Sequence, residues 1–524
     1  MRGRPLNVVR RWWRSIPAPL LGLIPAVAIV GVAWALIMPP WQGPDEIQHF
    51  SYVETLAQRH ALPGTLGSAP TPAPDQPRQA LDQILTPQSS THGPQQASSA
   101  LQASLLSLNL SGVTVGLARP EQSAYAAQEW QKRVAAEPQN NGGAFFVGAN
   151  DPPAYYLSVV PGYLLAGSGA NPVDHLYAAR LVSVLWLIFT AIGTWLLAGE
   201  LTGRDRSVQV VATSAVAFWP MLTFVSSMVN PDALMIAAWT WAFYVMARII
   251  RRGLTVRSGI ALAALLGLAI FTKTTSLALL PAGVLILIIG FWRRLRLRTD
   301  RLRAFAILGG ALILAPLAVW LAASVLTERP ILAQASAVAQ GGVGDVREFL
   351  SYVWQYYLPL LPGQEVHQFD IPVISDWSFF NVIVATSWGA FGWVTLFFPF
   401  GIYDWFLAIT LIVGGAALAR LLRAAWRNRR TEGLRRVGLP LAACYALTFV
   451  VLMAGLHVTE FKFKQPTIQG RYLFPVAAFA GLALALALRW LPARFRDVAT
   501  GVVVAACFGF ELLALGYVGA HYYA

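Results

Sequence analysis

Long apolar runs separated by short polar segments cover most of the chain. A helix needs roughly 20 apolar residues to cross the hydrocarbon core of a bilayer, and eleven runs approach that length. The pattern therefore predicts an all-α integral membrane protein with about eleven transmembrane helices. The predicted spans are residues 18–38, 177–199, 208–228, 233–249, 258–272, 275–292, 304–326, 402–422, 438–457, 471–488 and 499–519.

A long polar segment, residues 39–176, follows the first predicted span. Its middle, 62–100, is rich in Pro, Ser and Gln and holds too little apolar area to order itself, so we expect it to be mobile. Short helices are predicted at 44–60 and 120–137. The apolar stretch 153–168 predicts an interfacial helix, with a further crossing as the alternative.

A second long segment, residues 327–400, separates the seventh and eighth predicted spans and contains an amphipathic pattern at 345–358. Only 12% of the residues are charged, whereas about 25% are charged in soluble proteins. The chain is therefore predicted to be a basic terminus, 1–17, followed by one membrane domain, 18–524, rather than several soluble domains.

Arginine and lysine sort the polar segments into two sets. Basic segments stay on the cytoplasmic side of a membrane, which predicts a cytoplasmic amino terminus, an outer carboxyl terminus and two long outer loops. The charge of the inner set faces anionic headgroups of the membrane lipid, so it does not indicate a nucleic-acid partner. Of the 39 basic residues, 27 lie at 1–17, 200–207, 248–257, 292–303, 420–437 and 489–497, and the net charge is +14.

Residues that can do chemistry occur where the first predicted span ends. Asp45 and Glu46 follow Pro44, and on a helix each acid can share a face with His49. The arrangement suits a general base with an orienting partner. It also suits a divalent metal such as Mg²⁺ or Mn²⁺ held by Asp45, Glu46 and His49. Helix capping at the membrane exit is the alternative.

Other polar groups lie at the predicted outer ends of later spans. Asn230 and Asp232 stand in a short connection, where turn chemistry is the alternative to substrate binding. Lys273 interrupts an apolar stretch, which is costly in a membrane and typical of function, although a snorkelling lysine would show the same pattern. Gln469 and Arg471 stand at a span entrance, and arginine can hold a phosphate through two hydrogen bonds.

These residues resemble the bacterial membrane family called domain of unknown function 2142. That family is similar to membrane glycosyltransferases of the GT-C type, which take a sugar from a polyprenyl-phosphate donor outside the cytoplasm. Those enzymes place an acid in the first outer loop, so the resemblance implies a GT-C-like fold and maps that acid to Asp45 or Glu46. The matching pieces are Pro39-Pro40, Pro44-Asp45-Glu46 with His49, Asp151-Pro152-Pro153 with Tyr155-Tyr156, Asn230-Pro231-Asp232, Thr272-Lys273 and Gln469-Gly470-Arg471-Tyr472-Leu473.

The resemblance and the polar residues together predict a glycosyltransferase at the outer face of the cell membrane. It would move a sugar from a polyprenyl-phosphate donor to an envelope glycan or another acceptor. Asp45 would be the general base, Glu46 and His49 would orient it or hold a metal, and Arg471 with Lys273 would bind the phosphate. The remaining predicted substrate-binding residues are Asn230, Asp232, Gln469 and Tyr155.

Two other functions fit the same pattern of residues. A transporter or flippase of a lipid-linked or anionic solute would use the same cations for binding, with Glu511 or His457 as a proton relay. The long outer loops and the absence of a clear internal repeat disfavour this alternative. A non-catalytic envelope scaffold is the third possibility, and the clustered polar residues disfavour it.

Overall fold

The fold is almost entirely α-helical and forms an integral membrane body, as predicted. The predicted span at 304–326 and the segment at 62–100 lie outside the described residues, and so does the predicted helix at 120–137 except for residue 132. The computed structural model describes residues 17–60, 132, 152–295, 344–358, 361–363, 379–392, 394–426, 434–463 and 468–523.

Four helices lie within the described residues 17–60 and 152–202. Helix α1 (Ala18–Ile37) is the first span, and α2 (Glu46–Arg59) confirms the helix predicted at 44–60. Helix α3 (Ala154–Leu165) has 12 residues, or roughly 18 Å, which is too short to cross a bilayer. Helix α4 (Pro172–Thr202) is a span of 31 residues.

The third predicted span, 208–228, is two helices rather than one. Helices α5 (Arg206–Ala217) and α6 (Pro220–Ser227) are bent by 61° relative to each other. Pro220 has no backbone N–H, so it cannot continue the hydrogen-bond ladder of the preceding helix. The predicted span is therefore a bent pair of helices rather than one continuous helix.

Three more helices complete the first half of the chain. They are α7 (Asp232–Arg252), α8 (Val256–Thr272) and α9 (Leu280–Leu295), and a 3₁₀ segment, Thr274–Leu279, leads into α9. The apolar run that was predicted to hold two spans is therefore split after Thr272. Lys273 lies in the extended conformation at this break.

The first described elements of the carboxyl-terminal half are two short helices and a small hairpin. Helix α10 confirms the amphipathic helix predicted at 345–358. The hairpin strands β1 and β2 are antiparallel, with Ala390 opposite Phe397. In order, the elements are α10 (Val346–Tyr357), α11 (Phe379–Trp388), β1 (Ala390–Phe391), β2 (Leu396–Phe397), α12 (Gly401–Trp426), a π-helical turn (Leu434–Gly438), α13 (Leu439–Phe463), a 3₁₀ segment (Gly470–Val476), α14 (Ala477–Ala487), a 3₁₀ turn (Leu488–Trp490) and α15 (Ala493–Tyr523).

The described residues do not by themselves give the predicted count of eleven spans, because the predicted span at 304–326 lies outside them. Among the described residues, eight helices are long and apolar enough to cross a membrane, or nine if the bent α5–α6 pair is one span. Helix α8 is apolar but has 17 residues, so it is not counted among them. Each predicted span inside the described residues nevertheless coincides with a helix or a helix pair.

Helix α4 lies at the centre of the first half, where it packs against α1, α3, α5 and α7. A Cβ added to Gly31 of α1 would lie 2.7 Å from Val184 of α4, so the two backbones approach closely. Small residues at such contacts are typical of helices packed in a membrane. Because successive spans alternate in direction, the end of α1 and the start of α7 lie at the same end of the bundle.

Candidate active site

The loop after α1 is held by a buried ion pair. Glu46 accepts hydrogen bonds from Nε and Nη2 of Arg180 at 2.7 and 2.6 Å, and neither side chain is exposed. Arg180 also donates to the backbone carbonyls of Ala35, Met38 and Pro39. Its guanidinium therefore binds the carboxyl-terminal end of α1 and holds the start of α2 in place.

The contacts of Glu46 indicate a structural role, whereas the sequence analysis predicted that it would orient Asp45 or hold a metal. Its two carboxylate oxygens also accept hydrogen bonds from the backbone N–H groups of Gly43 and Val229, at 3.2 and 3.1 Å. The acceptor positions of this carboxylate are thus engaged by the protein. Sequence reasoning missed Arg180 as its partner, and an arginine inside a predicted span was the available signal.

Asp45 faces a different environment from its neighbour. It precedes α2 with a left-handed backbone, φ 55°, a conformation that aspartate tolerates better than most residues. Its side chain is 38% exposed. One carboxylate oxygen accepts a 2.6 Å hydrogen bond from Nη2 of Arg471. Two residues that were predicted to share a site are therefore in direct contact, although 426 positions separate them.

The charges around Asp45 keep it ionised. Burial raises the pKa of the Asp45 carboxyl, but the charges of Arg471, His49 and Lys273 outweigh this effect and hold the pKa below its ordinary value of 3.8. At neutral pH Asp45 is a carboxylate of reduced basicity. A group that neutralised Arg471 would therefore make Asp45 a stronger base.

The segment that carries Arg471 is pressed against α11. The N–H of Gly470 donates to Oγ1 of Thr386 at 2.6 Å, and a Cβ at position 470 would collide with Ser387 and with the carbonyl of Ile383. Only glycine fits there. The Arg471 side chain is 7% exposed, and its Nε and Nη1 have no hydrogen-bond partner among the described residues. Buried guanidinium donors that are unused can bind an anion.

A second ion pair lies beside the first. Nζ of Lys273 is 2.6 Å from Oδ1 of Asp232. The Asp232 side chain is fully buried, and its Oδ2 has no partner within the described part of the chain. The ring of Tyr472 contacts both cations, since its centroid is 5.1 Å from Nζ of Lys273 and 5.4 Å from Cζ of Arg471. The fold thus gathers Asp45, Arg471, Asp232 and Lys273 near Tyr472, to which the sequence analysis gave no role.

Asn230 and Tyr155, which were predicted to bind substrate, hold the neighbouring loops together. The side-chain amide of Asn230 donates to the carbonyl of Pro44 at 2.9 Å, and its side-chain oxygen accepts from the N–H of Asp232 at 2.9 Å. The hydroxyl of Tyr155, which is fully buried, accepts from the N–H of Asn230 at 2.8 Å and contacts Ser183 at 2.7 Å. These contacts include the local hydrogen bonds that the sequence analysis gave as the alternative to substrate binding. They position the loops that carry Asp45 and Asp232.

His49 and Gln469 lie next to the site, where each contributes a backbone hydrogen bond. Nδ1 of His49 is 2.8 Å from the hydroxyl of Tyr156, and its backbone N–H donates to the carbonyl of Asp45 at 3.1 Å. The backbone carbonyl of Gln469 accepts from the N–H of Tyr472 at 3.1 Å and closes the turn around Arg471.

The predicted metal ligands do not converge. Glu46 is held by Arg180, whereas Asp45 is held by Arg471. In the part of the chain that the structure describes, no three His, Cys, Asp or Glu side chains are placed to bind one metal ion. A metal held jointly by Asp45, Glu46 and His49 does not fit this arrangement.

An apolar cavity of about 720 Å³ lies next to Arg471. Its lining includes Gly470, Ser387, Leu421 and Leu486, and most of its walls come from α11 to α14. The lining includes residues between 470 and 486, a stretch that measures roughly 25 Å as a helix, most of the hydrocarbon thickness of a bilayer. An apolar lining of this kind suits a hydrocarbon chain, and Arg471 directly follows Gly470 of the lining.

Comparisons with known proteins find one matching family and several similar solved structures. A family model described as a predicted membrane protein (DUF2142) matches residues 28–480. The chain is similar to ArnT from Cupriavidus metallidurans bound to undecaprenyl phosphate, with 15% identity and a TM-score of 0.43 over 93% of this chain and 63% of that one. It is also similar to the archaeal oligosaccharyltransferase AglB from Archaeoglobus fulgidus in complex with an inhibitory peptide and a dolichol-phosphate, with 12% identity and a TM-score of 0.46 over 98% of this chain and 56% of that one. The chain thus spans less than two thirds of either length, and no curated protein matches it.

Proposed function

The chain belongs to this DUF2142 family of membrane proteins, and from its site we propose that it is a membrane glycosyltransferase of the GT-C kind. It moves a sugar from a polyprenyl-phosphate donor to a glycan or another acceptor at the outer face of the cell membrane. The contact between Asp45 and Arg471 beside a long apolar cavity is the observation that carries this proposal.

Arg471 binds the donor phosphate in this proposal. A guanidinium has two edges that hold a phosphate by two hydrogen bonds, and each edge includes Nη2. Because Nε and Nη1 have no partner in the described part of the chain and Nη2 already contacts Asp45, a bound phosphate lies close to that carboxylate. Lys273 adds a second positive charge near the same ring, and both cations stabilise the charge that develops on the departing phosphate.

Asp45 is the general base. When the phosphate neutralises Arg471, the pKa of Asp45 rises from its lowered value toward the ordinary one, and the carboxylate can take the proton of an acceptor hydroxyl. In one displacement the bond from the sugar to the phosphate oxygen breaks while the acceptor oxygen bonds to the same carbon, which inverts its configuration. The donor must therefore bind before the acceptor is activated.

Binding of undecaprenyl phosphate by the protein in nanodiscs tests the role of Arg471. The Arg471→Gln variant should bind this lipid about 100-fold more weakly, because the charge and its hydrogen bonds are lost. Native mass spectrometry at several lipid concentrations would measure the change. Arg252→Gln, which removes an arginine paired with Glu200 at the opposite end of the bundle, is the matched control. Equal affinity in the wild type and Arg471→Gln would exclude this phosphate site.

The proposed order of binding predicts two different acid limbs in the pH–rate profiles. The limb of kcat/KM for the donor reports the donor-free protein, where Arg471 holds the pKa of Asp45 below 3.8. The limb of kcat reports the complex, where that pKa has risen, so kcat should begin to fall at a higher pH on acidification. A panel of undecaprenyl-phosphate sugars, whose phosphodiester does not titrate in this range, supplies the substrates. Coincident limbs would contradict the release of Asp45 by phosphate.

A transporter or flippase is the second candidate, and Glu511 of α15 favours it. This buried carboxylate accepts hydrogen bonds from Trp34 and Thr223 at 2.5 and 2.7 Å, while its Oε2 has no partner among the described residues. A carboxyl group inside the spans suits a proton relay. Solute accumulation in sealed vesicles that survives Asp45→Asn and fails in Glu511→Gln would support transport over sugar transfer.

A further inference from the structure

A buried polar cluster lies outside the site, where α10 packs on the end of α13. The hydroxyl of Tyr352 donates to Oε1 of Glu460 at 2.8 Å. The two ring nitrogens of His457 lie 3.2 Å from the hydroxyl of Tyr352 and 2.7 Å from that of Tyr357. Glu460, His457 and Tyr352 are at most 4% exposed. Buried networks of this kind make the surrounding structure rigid when their members are bonded.

Glu460 connects this cluster to the backbone before Arg471. Its Oε2 accepts a 2.7 Å hydrogen bond from the N–H of Ile468, three residues before Arg471. Two residues after Ile468, the N–H of Gly470 donates to Thr386 at 2.6 Å. The backbone that carries Arg471 is therefore held by Glu460 of α13 on one side and by Thr386 of α11 on the other.

The docking of α10 sets the position of the Glu460 carboxylate. Burial raises the pKa of Tyr352, and the neighbouring Glu460 raises it further, so the phenol stays protonated and remains a hydrogen-bond donor. With Tyr352 on one oxygen and the N–H of Ile468 on the other, both carboxylate oxygens are engaged. The orientation of this side chain thus depends on a residue of the second long loop.

We propose that Glu460, together with Tyr352, is a positioning residue that sets where Arg471 meets the donor phosphate. The inference rests on the proposed function, because it takes Arg471 as the phosphate ligand. Hydrogen bonds to phosphate tolerate little displacement, and a shift of about 1 Å in a positioning group is enough to weaken them strongly. Helix α10 then links the state of the second long loop to the affinity for the donor.

Undecaprenyl phosphate binding to nanodisc-embedded variants tests this role. In Glu460→Gln the amide can accept only one of the two hydrogen bonds, so we expect the dissociation constant to rise about tenfold. Tyr352→Phe, which removes the other partner of the same carboxylate, should change it in the same direction. Thr459→Ala is the matched control, because the hydroxyl of Thr459 is exposed and its hydrogen bond among the described residues goes to Gly455 of the same helix. Affinities of Glu460→Gln and Tyr352→Phe equal to that of the wild type would overturn the inference.

A double-mutant cycle separates positioning from simple stabilisation. In an Arg471→Gln background, Glu460→Gln should cause no further loss of affinity, because its effect acts through Arg471. A tenfold loss in both backgrounds would overturn the inference. Glu200→Gln, which removes a buried acid at the opposite end, should lower the unfolding temperature without changing affinity. A wild type that does not bind the lipid at all would refute the proposed function itself, whereas wild-type affinity in Glu460→Gln refutes only the positioning role.

Discussion

Replacing Asp45 with asparagine is expected to lower the rate of sugar transfer by about 10³-fold, the usual contribution of a general base. The substitution keeps the size of the side chain and one acceptor for the 2.6 Å hydrogen bond from Arg471. Among the described groups of the site, Asp45 is a partly exposed carboxylate that can take a proton while Arg471 is occupied, and the substitution removes it. Transfer from a panel of undecaprenyl-phosphate sugars to endogenous envelope glycan would be measured in reconstituted membranes.

The affinity for undecaprenyl phosphate, unlike the rate of sugar transfer, should not fall in Asp45→Asn. Without the negative charge at position 45, Arg471 is no longer shared between a carboxylate and a phosphate, so undecaprenyl phosphate should bind at least as tightly as in the wild type. Asp404→Asn removes an exposed acid in the first turn of α12 and serves as the control. Transfer by Asp45→Asn at a rate near that of the wild type would remove Asp45 as the base.

Replacing Glu46 with glutamine is expected to lower the free energy of unfolding by about 3–5 kcal/mol, the cost of leaving a buried charge without its partner. The Glu46 and Arg180 side chains are both inaccessible to solvent. The backbone carbonyls that Arg180 also contacts carry only partial charges and cannot replace a carboxylate. Thermal unfolding in detergent, followed by intrinsic tryptophan fluorescence, would show the loss as a large drop in Tm.

Two further variants separate charge burial from the loss of one contact. The double variant Glu46→Leu with Arg180→Met leaves no buried charge and should recover part of the lost stability. Glu200→Gln removes an acid whose partners Arg251 and Arg252 are 38% and 45% exposed, so its effect should stay within about 1 kcal/mol. A Tm of Glu46→Gln equal to that of the wild type would show that this ion pair does not hold the loop.

The spans could be predicted because a lipid environment imposes a direct requirement on composition, about 20 apolar residues for each crossing. The break within 208–228 could not, since straight and bent spans have the same apolar composition. Only the place of Pro220, in the middle of that run, indicated where the ladder of hydrogen bonds would stop. Composition thus predicts which residues form a span better than it predicts whether that span is straight or bent.

The site could be predicted in part for the same reason. Counting crossings was enough to place Asp45 and Arg471 at the same end of the bundle, and the structure brings them into contact. The roles of Asp45 and Glu46 could not be separated, because adjacent acids look alike in a sequence. Their difference arises from the left-handed backbone at Asp45 and from Arg180, 134 positions after Glu46. The left-handed backbone has no local sequence signal, and an arginine inside a predicted span indicates a polar contact without identifying its partner.

The different roles proposed for Asp45 and Glu46 affect how the sequences of related chains should be interpreted. A homologue that keeps the Glu46–Arg180 pair but carries an uncharged residue in place of Asp45 would be a correctly folded pseudoenzyme, able to hold a lipid carrier without consuming it. A homologue with the reverse change would retain its chemistry and lose its scaffold. Under the proposed function, a substitution at position 45 affects turnover, whereas a substitution at position 46 affects stability.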